Sequence, residues 1–244
     1  MGMVATLFKR ELSSFFATPV AYVFITIFLI LSGVFAFFIG SLYERGQADL
    51  LPFFNFHPWL YLFLVPAIAM RTWSEERKSG TIELLMTLPI SSLQAVLGKF
   101  LASWAVLGLS LLLTFPLWIT VNYLGNPDNG VIIAAYIGSW LMAGAFLAIG
   151  MCMSALTKNQ VVAFILAVVI CFLFVVSGSN IVLDAFKDWA PSIVIDTVAS
   201  FSFLTHFESI AKGVIALNDV GYFLLSIAIW LYASLLIIEH KKAD

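Results

Sequence analysis

Apolar residues gather into six long runs, at 20–42, 53–70, 100–123, 131–156, 161–183 and 220–238, each closed by a short polar or proline-marked break. Every run reaches or approaches the roughly 20 residues that a helix needs to cross a hydrocarbon core. In lipid the backbone groups must be bonded within the segment, so these runs predict helices. The period-two alternation of a barrel strand is absent. The pattern predicts an all-α polytopic membrane protein: six transmembrane helices in a single domain spanning residues 1–244.

Three stretches fit no span. Residues 4–16 alternate at helical spacing, with Leu7, Phe8, Leu12, Phe15 and Phe16 on one arc and Lys9, Arg10, Glu11, Ser13 and Ser14 mostly opposite. This predicts an amphipathic helix in the inner interface, its cations near the headgroups, which Pro19 turns into the first span. The alternative is a short cytoplasmic tail.

The densest block of charge lies between the second and third runs, at 71–89. Trp73 suits the headgroup level, and Ser74 predicts a helix cap with Glu75 and Glu76 in the first turn. Arg77 follows, and Gly80 then interrupts. Thr81 is placed to cap a second short helix over 82–88 with Glu83 in its first turn, and Pro89 stops it. Ser91 and Gln94 have the spacing of a capping box opening the third span. The loop reads as a folded docking element, because Ile82, Leu84, Leu85, Met86 and Leu88 have no use in a solvated linker.

The outer connection 184–219 carries Phe203, Phe207, Ile210 and Val214 at helical spacing, with Glu208 and Lys212 as an i,i+4 pair on the other face. A structureless loop of that length is unusual in a compact protein. It predicts short re-entrant outer helices before the sixth span, the alternative being further spans.

Composition agrees with the pattern: 62% of residues are hydrophobic and 11% charged, against about a quarter charged in soluble domains. Orientation follows from the cations. With the N-terminus inside, Lys9, Arg10, Arg71, Arg77, Lys78, Lys99, Lys158, Lys241 and Lys242 are inner, and only Arg45, Lys187 and Lys212 are outer. Both termini are expected in the cytoplasm. No basic patch for nucleic acid exists. Cys152 and Cys171 fall inside apolar runs and read as small buried residues. No cleavable leader is expected, the first apolar run being too long.

Chemistry is sparse. No phosphate-binding loop, dinucleotide fingerprint or nucleophile elbow occurs, so neither catalysis nor a bound cofactor or metal is expected. The runs hold almost no ionisable residues, which argues against a proton relay through them. His57 and His206 fall on the outer side, as metal ligands, gate residues or simple hydrogen-bonding groups. Pro58, Pro66 and Pro116 are candidate kinks. Gly144 with Ala148 and Ala163 with Ala167 keep the small-x-x-x-small spacing of close helix contacts, within one chain or across a dimer.

Glu75-Glu76-Arg77, Gly80-Thr81, Glu83-Leu84-Leu85 and Pro89 resemble the coupling loop of ABC-2 type permeases, and the resemblance covers nearly the whole chain. Ser202 to Glu208, Lys212-Gly213-Val214-Ile215, Asp219, Arg10-Glu11-Leu12 and Pro19 to Tyr22 are similar to the gliding-motility (GldF-like) branch. The family implies a permease subunit in the bacterial inner membrane, paired with a second copy or paralogue. It implies a separate cytoplasmic ATPase dimer that carries ATP and magnesium and grips both the loop and the N-terminal helix. Glu75, Glu76, Arg77 and Glu83 would supply polar grip, and Ile82, Leu85 and Met86 would fill the ATPase groove. The branch also keeps open a mechanical transmitter that moves an auxiliary periplasmic protein without transport.

Overall fold

The computed structural model describes residues 2–81, 90–179, 182–184 and 191–240, with the side chains of Ser192 and Asp196 left aside. Among the described residues every regular element is a helix. The order is α1 (Met3–Ala17), α2 (Val20–Val34) running into a π-helical turn (Phe35–Ile39), α3 (Leu51–Asn55), α4 (His57–Ala69) and α5 (Arg71–Ser79). Then come α6 (Ser92–Leu112), α7 (Phe115–Leu124), α8 (Asn129–Leu156), α9 (Gln160–Val176), α10 (Ser192–Ser200), α11 (Phe203–Ala211) and α12 (Leu217–His240).

Four helical stretches among the described residues are long and apolar enough to cross a membrane: Val20–Ile39, Ser92–Leu124, Asn129–Leu156 and Leu217–His240. The bent pair α10–α11 makes a fifth if counted as one span. The expected second span is not one helix. It breaks at Phe56 into α3 and the 13-residue α4, whose first turn holds Pro58. Proline lacks an N–H and pushes the residue before it out of the helical region, so it starts a helix more readily than it continues one.

The expected fifth span keeps only the 17 residues of α9 as continuous helix. The third starts earlier than its apolar run, at Ser92, because the capping box of Ser91 and Gln94 forms as predicted. It then breaks at Leu113–Thr114, ahead of Pro116, which has no hydrogen to offer the Leu112 carbonyl. The Thr114 hydroxyl closes the break by donating to the Leu111 carbonyl at 2.6 Å.

Helix α8 is the hub. It packs against α4, α5, α6, α9, α11 and α12, and most of its length is buried. Small residues make that possible, since helices in lipid gain by close van der Waals approach rather than by hydrophobic transfer. Gly138 lies under Ile210 of α11, Gly144 under Ile227 of α12 and Trp104 of α6, and Gly150 under Ala69 of α4. Ala148, Ala163 and Ala167 are also fully buried inside the chain. The small-residue spacing at Gly144 and Ala148 therefore serves packing within one molecule.

The contact between α6 and α8 has a reciprocal form. Trp104 and Trp140 stack with centroids 4.1 Å apart and planes 10° apart. Each indole N–H donates to the other tryptophan's backbone carbonyl, at 2.9 and 3.3 Å. Four residues after each tryptophan stands a glycine, Gly108 or Gly144, and a Cβ at either would lie 2.9 Å from the opposite indole nitrogen. The outward rows of the long helices stay exposed, among them Ile27 and Ile30 of α2, Val161, Ile165 and Val169 of α9, and Leu225 and Ile229 of α12. Such rows are what a spanning helix presents to lipid.

Candidate functional site

The predicted docking block begins as a real helix, but it is capped from a distance. The amides of Trp73 and Ser74, in the first turn of α5, both donate to Ser154 Oγ of α8, at 3.1 and 3.0 Å. Ser154 Oγ in turn donates to the Met70 carbonyl at 2.8 Å. Ser74, expected as the cap, lies inside the helix and turns its own hydroxyl back to the Met70 carbonyl. A residue 80 positions away satisfies the orphan amides that a helix start leaves open. Arg77 Nη1 donates to the Ala155 carbonyl at 2.6 Å, so α5 is fixed to the end of α8 at two successive turns.

Glu76 points the other way. It meets Lys99 Nζ of α6 at 2.7 Å, and the same ammonium lies 3.3 Å from Glu11 of α1. Lys99 keeps only 7% of its side-chain surface exposed, against 17% for Glu11 and 21% for Glu76. The indole of Trp73 lies beneath it, 5.3 Å from Nζ to the ring centroid. Trp73 is fully buried within the protein, packed under the Lys99 ammonium. One cation thus joins α1, α5 and α6, and α5 is joined to α8.

Glu11 was expected on the solvent side of α1 and instead faces inward. Burial works to raise its carboxyl pKa, but the Lys99 ammonium and the Arg10 guanidinium, 2.6 Å away, outweigh it and hold it below the ordinary value. The apolar arc of α1 is as predicted: Leu7 is buried against Gly98 of α6, and Leu12, Phe15 and Phe16 pack on the core, while Phe8 is half-buried. Lys9 and Arg10 are exposed. Between α1, α5 and α6 a cleft of about 270 Å³ remains, with Ser14, Thr18 and Thr72 on its wall.

The remaining loop residues divide between exposed and undescribed. Glu75 is exposed and takes a two-pronged contact from Arg71, at 2.9 and 3.3 Å. Gly80 ends α5 in the left-handed region, φ 74°, which glycine adopts without strain. Thr81 bonds back to Ser79 Oγ at 2.9 Å. The second helix expected in the loop, with Ile82, Glu83, Leu85 and Met86, lies outside the described residues.

On the predicted outer side the two histidines are far apart in role. His57 is fully buried, with Nδ1 2.7 Å from Ser139 Oγ, and Ser139 also meets the Tyr61 hydroxyl at 2.7 Å. His206 pairs with Asp219. Phe207 is buried on α8 beside Gly138, and Glu208 and Lys212 form the expected pair at 3.9 Å, exposed. Among the described residues no cluster of three or more His, Cys, Asp or Glu side chains is arranged to hold a metal ion. Lys99, Ser154 and Asp219 carry contacts that sequence reasoning missed. Lys99 alone left a signal: a lysine inside an apolar helix needs a counter-charge.

The sequence profile of the family described as ABC-2 family transporter protein matches residues 50–239. The chain belongs to that family. An ABC-2 permease is the transmembrane subunit of an ABC transporter, working with an ABC ATPase, and the apolar helices agree with a multi-pass membrane protein. Within the match lie α5, Lys99 and Ser154, whereas α1 and α2 precede it. No curated protein matches the chain.

Proposed function

We propose that this chain is the permease subunit of an ATP-driven exporter, and that the Lys99 junction receives the movement of the ATPase. The observation that carries this reading is the double pairing of Lys99. It ties the N-terminal helix to the charged loop, the two elements that the family offers to an ATPase. The exposed groups of the loop, Glu75, Lys78 and Thr81, are the grip, while Glu76 and Arg77 transmit the pull to α6 and α8. Ile82, Glu83, Leu85 and Met86, outside the described residues, complete the docking surface in this reading. ATP and magnesium stay on the partner, and closure of its dimer is a rigid-body input to the spans.

Six crossings remain the reading that fits both charge and parity. The pieces are α2, α3 with α4, α6 with α7, α8, α9 and α12. Helices α3 and α4 together run from 51 to 69, which at 1.5 Å per residue is roughly 28 Å. Both termini then face the cytoplasm of a bacterial inner membrane. A second copy or paralogue completes the transporter, and the gliding-motility pattern favours an auxiliary protein on the outer side.

The test is co-expression with the ATPase. Glu75→Lys, which leaves the Lys99 junction intact, is expected to cut permease-stimulated ATP hydrolysis about tenfold, the effect of roughly 1.4 kcal/mol. Full stimulation by a correctly inserted Glu75→Lys protein would sink the assignment.

A further inference from the structure

The outer ends of α10, α11 and α12 meet at His206, and the hydrogen bonds there dictate where a proton sits. Nδ1 lies 2.6 Å from Oδ1 of Asp219, in the first turn of α12. Nε2 lies 3.0 Å from the carbonyl oxygen of Ser200, the last residue of α10. Tyr222 of α12 stacks on the imidazole with centroids 4.0 Å apart, and its hydroxyl donates to the Phe201 carbonyl at 2.5 Å. The His206 and Asp219 side chains are 17% and 12% exposed, so the pair is largely closed to water.

Donor counting leaves one arrangement. A carbonyl oxygen only accepts, so Nε2 carries a hydrogen. A neutral imidazole has a single N–H, and with that hydrogen on Nε2 its Nδ1 is a bare lone pair. An ionised carboxylate also only accepts. Two lone pairs facing each other at 2.6 Å repel, so a further proton lies between Nδ1 and Oδ1.

We propose that the His206–Asp219 pair is a proton-binding site, filled in this arrangement, which clamps α10 and α11 to the start of α12 and opens when the proton leaves. The proton comes from the outer aqueous compartment. With it the pair is neutral overall; without it the pair carries one negative charge and a repulsive contact. Closure therefore belongs to low pH and is lost as pH rises.

The carbonyl end of α10 faces the ring. From α12 the titratable groups at the ring are Asp219 and Tyr222. On α11 and at its C-cap they are Glu208 and Lys212, which pair with each other in solvent. From α10 the ring meets a backbone carbonyl, and the one carboxylate of that helix, Asp196, is outside the described side chains. Helix α11 has separate apolar anchors in Phe203, which meets Phe146 and Phe174, and Ile210, which meets Gly138. Those contacts do not titrate, and neither do the Tyr222–Phe201 bond and the Phe203–Phe223 ring contact, so proton loss loosens the His206 link among the three helices without detaching any of them.

The discriminating variant is Asp219→Asn. Its amide donates to Nδ1 while Nε2–H still reaches Ser200, so a neutral ring satisfies both partners and needs no further proton. The experiment is nitrogen NMR of histidine-labelled protein in nanodiscs, with the His206 signals assigned by their loss in His206→Gln. A spin-label pair at Thr197→Cys and Leu224→Cys reads the α10–α12 distance over the same pH series. In the parent protein the expected result is two protonated ring nitrogens while the distance is short, then loss of one proton together with lengthening as pH rises. Asp219→Asn should hold one short distance throughout with one protonated nitrogen. A singly protonated ring in the closed parent protein overturns the proposal. So does an Asp219→Asn distance that follows pH as the parent's does.

Discussion

Lys99 shows how one side chain decides the arrangement of three helices. Its ammonium is nearly out of water and offsets two carboxylates from different elements. Breaking a largely buried ion pair by removing one partner leaves the other charge uncompensated. Lys99→Met is expected to destabilise the detergent-solubilised protein by about 3 kcal/mol, the low end for buried pairs because both carboxylates keep some contact with water. Chemical unfolding measures it, and adding Glu11→Gln and Glu76→Gln to Lys99→Met should recover part of the loss. The same junction has an acid limit. The folded-state pKa of Glu11 is depressed below its ordinary 4.5, so its stabilising contribution is complete above that value. The contribution falls away as pH drops through the lower, folded-state pKa. Protection of the Leu7–Leu12 amides, exchange measured against the intrinsic rate at each pH, should stay high near neutrality and fall only below about pH 4.5, whereas Glu11→Gln should show low protection at both.

At the scale of elements, the breaks matter as much as the helices. Proline explains two of them, before Pro58 and Pro116, and their approximate places were legible from the residue type alone. What was not legible is how far each helix runs, because apolar composition does not distinguish a residue in a helix from one in the turn that follows it. The 161–183 run has the hydropathy of a span, yet continuous helix stops at Val176. The tryptophan–glycine repeat of α6 and α8 makes the sharper case. Trp104 with Gly108 and Trp140 with Gly144 look unremarked in sequence, since neither helix alone shows why glycine follows tryptophan by four. Across the seam each glycine leaves room for the other helix's indole. Gly108→Ala and Gly144→Ala should each cost about 1–3 kcal/mol by overpacking. Near-ultraviolet circular dichroism of the stacked indoles should change in both, and a spectrum unchanged from the parent's would contradict the reciprocal fit.

For the whole molecule the question is which way it stands in the membrane. Cys152 and Cys171 are both buried and free, so introduced cysteines can report without competition. An impermeant maleimide added outside intact cells is expected to label Gly46→Cys and Pro127→Cys and to leave Ser13→Cys and Lys158→Cys unlabelled until the cells are opened. The reverse pattern would invert the reading of the cations and move the Lys99 junction to the outer face. In the expected orientation the junction and the His206 clamp lie at opposite ends of the bundle, with α8 between them. That helix touches α5 through Ser154 and Ala155 and α11 through Gly138, and α9 also packs against both.

By itself the sequence determined the class, the orientation expected from its cations, the amphipathic face of α1 and the place of the charged block. Each of these is written in local properties: hydropathy over about 20 residues, the sign of charge in a break, the spacing of side chains around a helix. Partnership needed the tertiary structure. Ser74 had the right chemistry to cap α5, and Glu76 the right charge to face a partner protein. Which group a side chain satisfies depends on what the fold brings within about 3 Å of it. Here that was Ser154, 80 residues away, and Lys99 on the next helix.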